Sequence, residues 1–284
     1  MSRVPALLLA LTIACAPTPS QEDAAQAKRD NANGLEHFQR GRFEPALKKF
    51  DAAIDADPTV AEYSNNAGIA RLRLGDPNKA YYDFRRAERL QPKTALYTHN
   101  KGLALRQAGR PDEARDAFEQ AIAIDESFFD SYDALANLYF DAKRYDAARE
   151  TWERAANIAE TPPVLTNLAR VNLTQRRDFG AVQAYIKDAL RIDPGYAPAY
   201  YVRGMLNELE ANWPAAEKDF RAARKIDPEF LEAYFKHAIA LVQLEQSEQA
   251  IATLEAFIQR APPKEYMQQI VAARVQINKL KAAQ

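Results

Sequence analysis

Apolar and small residues recur along this chain with a period of 34, and within each period they fall on two stripes with helical spacing. One stripe occupies positions 4, 8 and 11 of the period, and the other occupies positions 20, 24 and 27. Residues three and four apart share one face of an α-helix, so each period predicts two amphipathic helices. No alternating apolar and polar run, which would indicate a strand, separates the two stripes.

Five ladders of like residues keep this step of 34. They are the prolines Pro58, Pro92, Pro194, Pro228 and Pro262; the glycines Gly34, Gly68, Gly102 and Gly204, with Ala136 and Ala238 in two further places; two alanine ladders that start at Ala46 and Ala53; and an aromatic ladder that starts at Phe50. Proline stops the second helix of each pair, because it cannot continue a helical hydrogen-bond pattern. Gly41, Gly75 and Gly109 stand where the chain turns from the first helix to the second.

This pattern resembles the tetratricopeptide repeat family, which has a small residue at position 8, alanine at 20 and 27, an aromatic residue at 24 and proline at 32. The resemblance covers seven repeats, at residues 27–60, 61–94, 95–128, 129–162, 163–196, 197–230 and 231–264. It implies an all-α, right-handed superhelical solenoid of helix-turn-helix repeats. Because the last repeat of a stack needs a cover, we expect residues 265–284 to form a capping helix with a polar outer face.

Repeat five departs from the pattern. Its position 8 is Arg170, and its segment Asn167-Leu168-Ala169 fits the consensus only if one extra residue is allowed before Arg177. Residues 161–163 read Thr-Pro-Pro and predict a stiff break at the same junction. Two interpretations stay open: tolerated drift of the repeat, or a hinge between repeats four and five.

The N-terminus predicts export. Residues 1–14 carry one arginine and then an apolar run of secretory length, too short for a membrane-spanning helix, and are interpreted as a signal peptide. Residues 11–15, LTIAC, resemble a bacterial lipobox, which implies cleavage before Cys15 and lipidation of that cysteine. Residues 15–30 are predicted to be the lipidated cysteine and a polar tether. The resemblance places the protein at the periplasmic face of the outer membrane, with soluble periplasmic export as the alternative.

The first helix of each repeat should present its positions 2, 5 and 9 to a concave groove, because these lie away from the packing stripe. A side-chain amide both donates and accepts hydrogen bonds, so spaced asparagines could bind the backbone of an extended peptide, with aromatic residues forming apolar pockets. The alternative is that the asparagines are merely solvated. The candidate groove residues are Asn65, Asn66, His99, Asn100, Arg106, Asn137, Phe140, Asn167, Tyr201 and Phe235.

Composition argues against several classes of function. With 38 Lys and Arg against 39 Asp and Glu, the chain lacks the positive excess on which nucleic-acid binding depends. One cysteine cannot form an internal disulfide or a cysteine-rich zinc site, and His37, His99 and His237 form no local metal motif. No glycine-rich phosphate loop or nucleophile motif is present. We therefore predict no cofactor, no metal and no catalytic residue.

The sequence thus predicts a non-enzymatic protein–protein interaction scaffold of the bacterial cell envelope. Its expected partner is a protein or an extended peptide, and its expected membrane contact is a lipid anchor only. Exported proteins of this family serve in pilus assembly, outer-membrane biogenesis and regulation of cell-wall enzymes, and the resemblance does not choose among these roles. Two alternatives stay open: a self-assembling structural solenoid, and the regulatory arm of an enzyme. A monomer is the favoured oligomeric state.

Overall fold

A computed structural model of the chain describes residues 19–283. Within these residues the protein forms fifteen α-helices and no strand, which confirms the predicted all-α repeat solenoid. The helices are α1 (Gln21–Gln39), α2 (Phe43–Ala56), α3 (Ala61–Arg73), α4 (Pro77–Leu90), α5 (Ala95–Gln107), α6 (Pro111–Ile124), α7 (Phe129–Asp141), α8 (Tyr145–Ile158), α9 (Pro162–Thr174), α10 (Phe179–Ile192), α11 (Ala197–Leu209), α12 (Trp213–Ile226), α13 (Leu231–Gln243), α14 (Ser247–Arg260) and α15 (Pro263–Ala282). Over the same range, no helix combines the length and the apolar character needed to cross a bilayer.

The predicted signal peptide and Cys15 lie outside the described residues. The predicted tether, by contrast, is too long, because α1 begins at Gln21 and covers residues 21–30. Ser20 caps this helix: its hydroxyl accepts a hydrogen bond from the backbone N–H of Asp23 at 3.1 Å, and the Asp23 carboxylate accepts one from the backbone N–H of Ser20 at 3.3 Å. This capping box and the burial of Ala27 against α2 stabilise a helix that the polar composition concealed.

The helices alternate between a first and a second helix of each repeat. The second helices, α2 to α14, are all 14 residues long and begin 34 residues apart without exception. The first helices keep the same step except for α9, which begins 33 residues after α7 and 35 before α11. The loop before α9 has three residues instead of four, and the loop after it has four instead of three.

This shift changes which residues of α9 correspond to the other first helices. Ala169, and not Arg170, is the eighth residue of the helix and stands where Gly68 and Gly204 stand in theirs. Arg170 is the ninth residue, at the place of Ile69 in α3. The extra residue allowed before Arg177 is therefore in the turn, and the prediction that Arg170 occupies position 8 is wrong.

Each repeat packs a small residue of its first helix under a large residue of its second. In four repeats the pair is glycine and phenylalanine, and a Cβ added to any of these glycines would lie within 2.7 Å of the ring. These pairs are Gly34 with Phe50, Gly68 with Phe84, Gly102 with Phe118 and Gly204 with Phe220. The three repeats with alanine at the small position instead have Trp152, Ile186 and Leu254 at the large one. All seven large side chains are buried and form the centre of the repeat core.

The capping helix α15 covers repeat seven with Ile270, Ala273 and Ile277, as its spacing predicts. Its outer face is only partly polar, which corrects the expectation of a polar cap. Three apolar side chains at intervals of four are about half exposed: Met267 at 55%, Val271 at 52% and Val275 at 48%. One exposed stripe therefore runs along this helix.

The chain packs as two compact units, one ending at Glu126 and the other beginning at Ser127. The first contains α1 to α6, and the second contains α7 to α15. This boundary does not coincide with the hinge hypothesised at residues 160–165. There, Thr161 caps α9 and Pro162 is its first residue, so the two prolines start a helix, where a missing N–H costs nothing.

Candidate binding surfaces

The asparagines of the first unit are bonded to one another across neighbouring repeats. The amide of Asn66 donates to the side-chain oxygen of Asn31 at 2.9 Å, and the amide of Asn100 donates to that of Asn65 at 2.7 Å. Asn65 and Asn100 are only 5% and 7% exposed. These contacts join α1 to α3 and α3 to α5, so they support a role in repeat stacking. They match neither peptide-binding nor simply solvated asparagines.

The other two candidates of the first unit lie apart. His99 is buried, with its ring centroid 5.4 Å from that of Phe118, whereas Arg106 is exposed near the end of α5. A small depression between first helices, lined partly by Asn66 and Ile69, has a volume of about 60 Å³. That is roughly twice the share of one water molecule in the liquid, so it cannot hold a large side chain.

The second unit contains a larger pocket of about 390 Å³ between its first helices, within the size range of ligand sites. Three successive first helices, α7, α9 and α11, contribute to it, together with residues at the start of α13. Three of the predicted groove residues, Phe140, Asn167 and Tyr201, line it. The full lining is Phe140, Thr166, Asn167, Arg170, Thr174, Tyr196, Pro198, Tyr201, Val202, Met205, Phe230 and Glu232.

Arg170 is the cation of this pocket, and the sequence pattern did not identify it because of the register shift in α9. Its guanidinium lies 4.4 Å from the centroid of the Phe140 ring. Its Nε is buried without a hydrogen-bond partner, and no carboxylate of the described residues lies within 4.0 Å. Burial lowers the pKa of Arg170, while the charges of Asp141 and Asp133 act in the opposite direction. An arginine stays charged under these conditions.

Two further polar groups of the pocket have no bonded partner within residues 19–283. Asn167 occupies the place in α9 that Asn66 and Asn100 occupy in α3 and α5, but its side-chain amide makes no such pair. The corresponding residue of the preceding repeat is Asp133, whose carboxylate instead accepts a hydrogen bond from the indole of Trp152 at 3.0 Å. The hydroxyl of Thr166 is likewise buried and unbonded.

Aromatic rings form much of the remaining wall. The Tyr201 ring centroid lies 4.9 Å from that of Phe230 and 5.7 Å from that of Phe220. Burial, aided by the charges of Glu232 and Glu208, raises the pKa of Tyr201 to about 12. Burial also raises the pKa of Tyr196. Both phenols therefore stay protonated at neutral pH and can donate hydrogen bonds.

The remaining candidates lie outside this pocket. The amide of Asn137 donates to the backbone carbonyl of Asp133 within its own helix at 2.7 Å. Phe235 packs on Phe257, with ring centroids 5.7 Å apart, and lines a separate apolar depression of about 330 Å³ beside α15. Within residues 19–283, no group of three His, Cys, Asp or Glu side chains is placed to hold a metal ion.

Similarity to solved structures is widespread, and 423 chains match. A tetratricopeptide repeat protein from Parabacteroides merdae aligns with a TM-score of 0.71 at 13% identity, covering 88% of this chain and 98% of that one. PilF of Pseudomonas aeruginosa gives 0.63 at 18% identity over 75% and 97%, and yeast Tom70 gives 0.64 at 19% over 92% and 55%. At such identities the likeness shows a common fold. None of the curated protein sequences matches the chain.

Family profiles give the more specific comparison. Three profiles, each described as tetratricopeptide repeat, match residues 59–127, 105–170 and 232–263. Together they span about half of the chain, and the seven helix pairs extend the same architecture across the rest. Sequence profile, helix register and fold therefore agree: the chain is a member of the tetratricopeptide repeat family.

Proposed function

We propose that this protein is an interaction scaffold whose second unit binds an extended segment of a protein partner in the pocket over α7, α9 and α11. The observation that carries this proposal is the set of polar groups in that pocket without a bonded partner, namely Arg170, Asn167 and Thr166. Buried polar groups in native proteins are almost always bonded, so an exception calls for an explanation. A bound partner that supplies the missing acceptors explains it.

An extended peptide fits this pocket better than a compact small molecule. Three successive first helices contribute to the lining, and the pocket is open to solvent along exposed Thr174 and Glu232. Asn167 and Tyr201 offer donors that match backbone carbonyls, while Met205 offers an apolar surface to a side chain. Tetratricopeptide repeat proteins are in general scaffolds, and a non-catalytic role accords with the donors and aromatic rings that dominate here.

We further propose that the scaffold works in the bacterial cell envelope, attached through lipidated Cys15. The lipobox-like residues 11–15 support the anchor. Because α1 begins at Gln21, only residues 16–20 would separate the anchor from the folded body. Five residues reach at most roughly 18 Å, so the first repeat would lie close to the membrane surface. Cys15→Ser should move the protein from the membrane pellet to the soluble fraction. Unchanged pelleting of that variant would refute the anchor.

The test of the binding function is site-specific crosslinking in the native host. A photoreactive benzoylphenylalanine at Thr174, an exposed residue of the pocket edge, should give a discrete crosslinked protein. The matched control is the same group at Lys218, which is exposed on α12 and lines no described pocket. Crosslinks that are equal at both positions, or absent at Thr174, would rule out this pocket as the binding site.

The exposed stripe on α15 favours a second candidate function, self-assembly. Half-exposed Met267, Val271 and Val275 form an apolar surface that a second molecule could cover. In this case, sedimentation should show a mass that rises with concentration, and Val271→Lys should abolish the rise. A mass equal to that of one chain at every concentration would exclude self-assembly.

A further inference from the structure

We propose that the pocket of the second unit recognises a carboxylate of its partner, with the guanidinium of Arg170 as the binding group. This inference rests on the proposed peptide binding and specifies its chemistry. The carboxylate belongs either to an aspartate or glutamate side chain of an extended segment or to the C-terminus of the partner chain. Both sources present the same planar, two-oxygen acceptor to the arginine.

The first argument is the state of Arg170 itself. A guanidinium has five N–H donors, and this one has a buried Nε without an acceptor and no carboxylate of residues 19–283 within 4.0 Å. Charged groups withdrawn from water are normally paired. A carboxylate is the acceptor that fits best, because its two oxygens can take two parallel N–H bonds from the planar fork.

The second argument is that the guanidinium is held in place before any ligand arrives. It stacks on Phe140 at 4.4 Å, and that ring is itself packed 5.3 Å from the Tyr145 ring and 5.8 Å from the Trp152 ring. The arginine therefore rests on a buried aromatic cluster and not on a mobile surface. A group already oriented for binding loses less conformational entropy when the ligand arrives.

The acidic groups nearby do not satisfy Arg170. Asp133 and Asp141 are close enough to raise its pKa but lie outside ion-pair distance, and the carboxylate of Asp133 is bonded to the indole of Trp152 at 3.0 Å. Glu232, on the opposite wall, accepts a hydrogen bond from the hydroxyl of Tyr266 at 3.0 Å. Glu232 should repel an acidic ligand, so removing its charge gives a second test with the opposite sign.

The remaining donors position the segment that carries the carboxylate. Asn167 and Thr166 lie on the same helix as Arg170, three and four residues earlier, and thus on the same face. Their free amide and hydroxyl can bond to the backbone next to the acidic residue. Pro198, Val202 and Met205 line the neighbouring wall from α11 and favour an apolar residue beside it. The inferred ligand is an extended segment in which an acidic residue adjoins an apolar one.

The experiment uses the full chain and small probes of defined chemistry, followed by NMR through the side-chain resonances of Arg170 Nε and Asn167 Nδ2. N-acetyl-aspartic acid amide tests a side-chain carboxylate, and N-acetyl-alanine tests a terminal one. N-acetyl-asparagine amide is the neutral isostere, and N-acetyl-lysine amide tests the opposite charge. We expect saturable shifts of both resonances with one or both carboxylates and none with the other two probes. The stronger carboxylate identifies the source.

Three variants separate charge recognition from general damage. Arg170→Gln should weaken carboxylate binding, read at Asn167, by about tenfold or more, as expected for a lost charge-assisted hydrogen bond. Glu232→Gln should strengthen it by roughly twofold. The matched control is Arg144→Gln: Arg144 also stacks on a tyrosine of the second unit, 4.7 Å from the Tyr139 ring centroid, but does not line the pocket. It should leave binding unchanged.

The proposal is overturned if the neutral or the lysine probe binds as well as the carboxylates. It is also overturned if Arg170→Gln and Arg144→Gln have the same effect. Crosslinking from Thr174 that persists in the Arg170→Gln variant, together with a failure of the carboxylate probes, would keep the proposed peptide binding and reject only its acidic specificity. The two proposals can therefore fail separately.

Discussion

Replacing Gly102 with alanine should destabilise the first unit, although alanine is the better helix former. The added Cβ would lie 2.6 Å from Cε1 and 2.8 Å from Cδ1 of Phe118, closer than real carbon atoms approach. Phe118 is completely buried, so its ring cannot turn aside into solvent. The substitution therefore sets an intrinsic gain against a packing loss within one helix pair.

The two effects can be compared in magnitude. Alanine gains about 1 kcal/mol over glycine in a helix interior. Overpacking of a dense core costs about 1–3 kcal/mol. Because the contact is made with an enclosed ring, we take the upper half of that range and expect Gly102→Ala to lower the free energy of unfolding by about 1–2 kcal/mol.

The chain itself contains the compensating combination. Repeat seven has Ala238 in place of glycine and Leu254 in place of phenylalanine, and both side chains are buried in one cluster. Phe118→Leu alone should lose about 1–2 kcal/mol through a partly filled cavity. In the double variant the methyl group added at position 102 would occupy part of that space. The double variant should therefore be no less stable than Phe118→Leu alone, with a coupling energy of about 1–2 kcal/mol.

The measurement is denaturant unfolding of the four proteins of this cycle, supported by amide hydrogen exchange in α5 and α6. Hydrogen exchange is needed because repeat proteins can open locally, so that one global transition does not report on one repeat. The matched control is Ala238→Gly in repeat seven, which removes a methyl that fits and should also destabilise. Additive effects of Gly102→Ala and Phe118→Leu, or a more stable Gly102→Ala variant, would refute the coupling of these two positions.

Three further outcomes follow from the contacts. Asn100→Ala should cost about 1–3 kcal/mol in urea unfolding, because it leaves the buried oxygen of Asn65 without its donor; a neutral effect would return the asparagines to solvated surface. Burial raises the pKa of Asp83 from 3.8 to about 6, although Arg71 lies 2.8 Å away and acts in the opposite direction. The folded state then binds this proton more tightly than the unfolded state, so the free energy of unfolding should fall as pH rises from about 4 to about 6 and level off above. Urea titrations across pH should show that slope, and Asp83→Asn should remove it. Arg170→Met should leave thermal stability within about 1 kcal/mol of the natural protein or raise it, because the lost stacking is offset by relief of an unbonded buried group; a loss of about 3–5 kcal/mol would indicate a structural ion pair instead.

The candidate site could be predicted only in part. Phe140, Asn167 and Tyr201 were expected to face a groove, and all three line the pocket of the second unit. Arg170, the residue on which its charge depends, was placed on the packing face instead. A strict period of 34 assigns every residue of α9 to the wrong position by one. The signal that could have found it was the poor fit of Asn167-Leu168-Ala169, which improves when one residue moves into the turn.

The sequence by itself determined the helices and their pairing. Helix formation and amphipathic packing depend on residues three and four apart, so a period of 34 with two apolar stripes is enough to place seven helix pairs. It also located the capping helix within two residues, because that helix continues the same spacing. Glycine marked three of the turns, at Gly41, Gly75 and Gly109, which have φ angles between 69° and 78°.

Only the tertiary structure decided which polar residues bond to one another and which stay free. Asn66 and Asn100 find asparagine partners one repeat earlier, whereas Asn167 meets the site of an aspartate already bonded to an indole. The same turn that glycine marks early in the chain takes a left-handed conformation at Lys143 and Ala211 as well, because the helices on either side fix it. These outcomes depend on residues about 35 apart in the sequence and on the one-residue shift of α9, and no local pattern contains them.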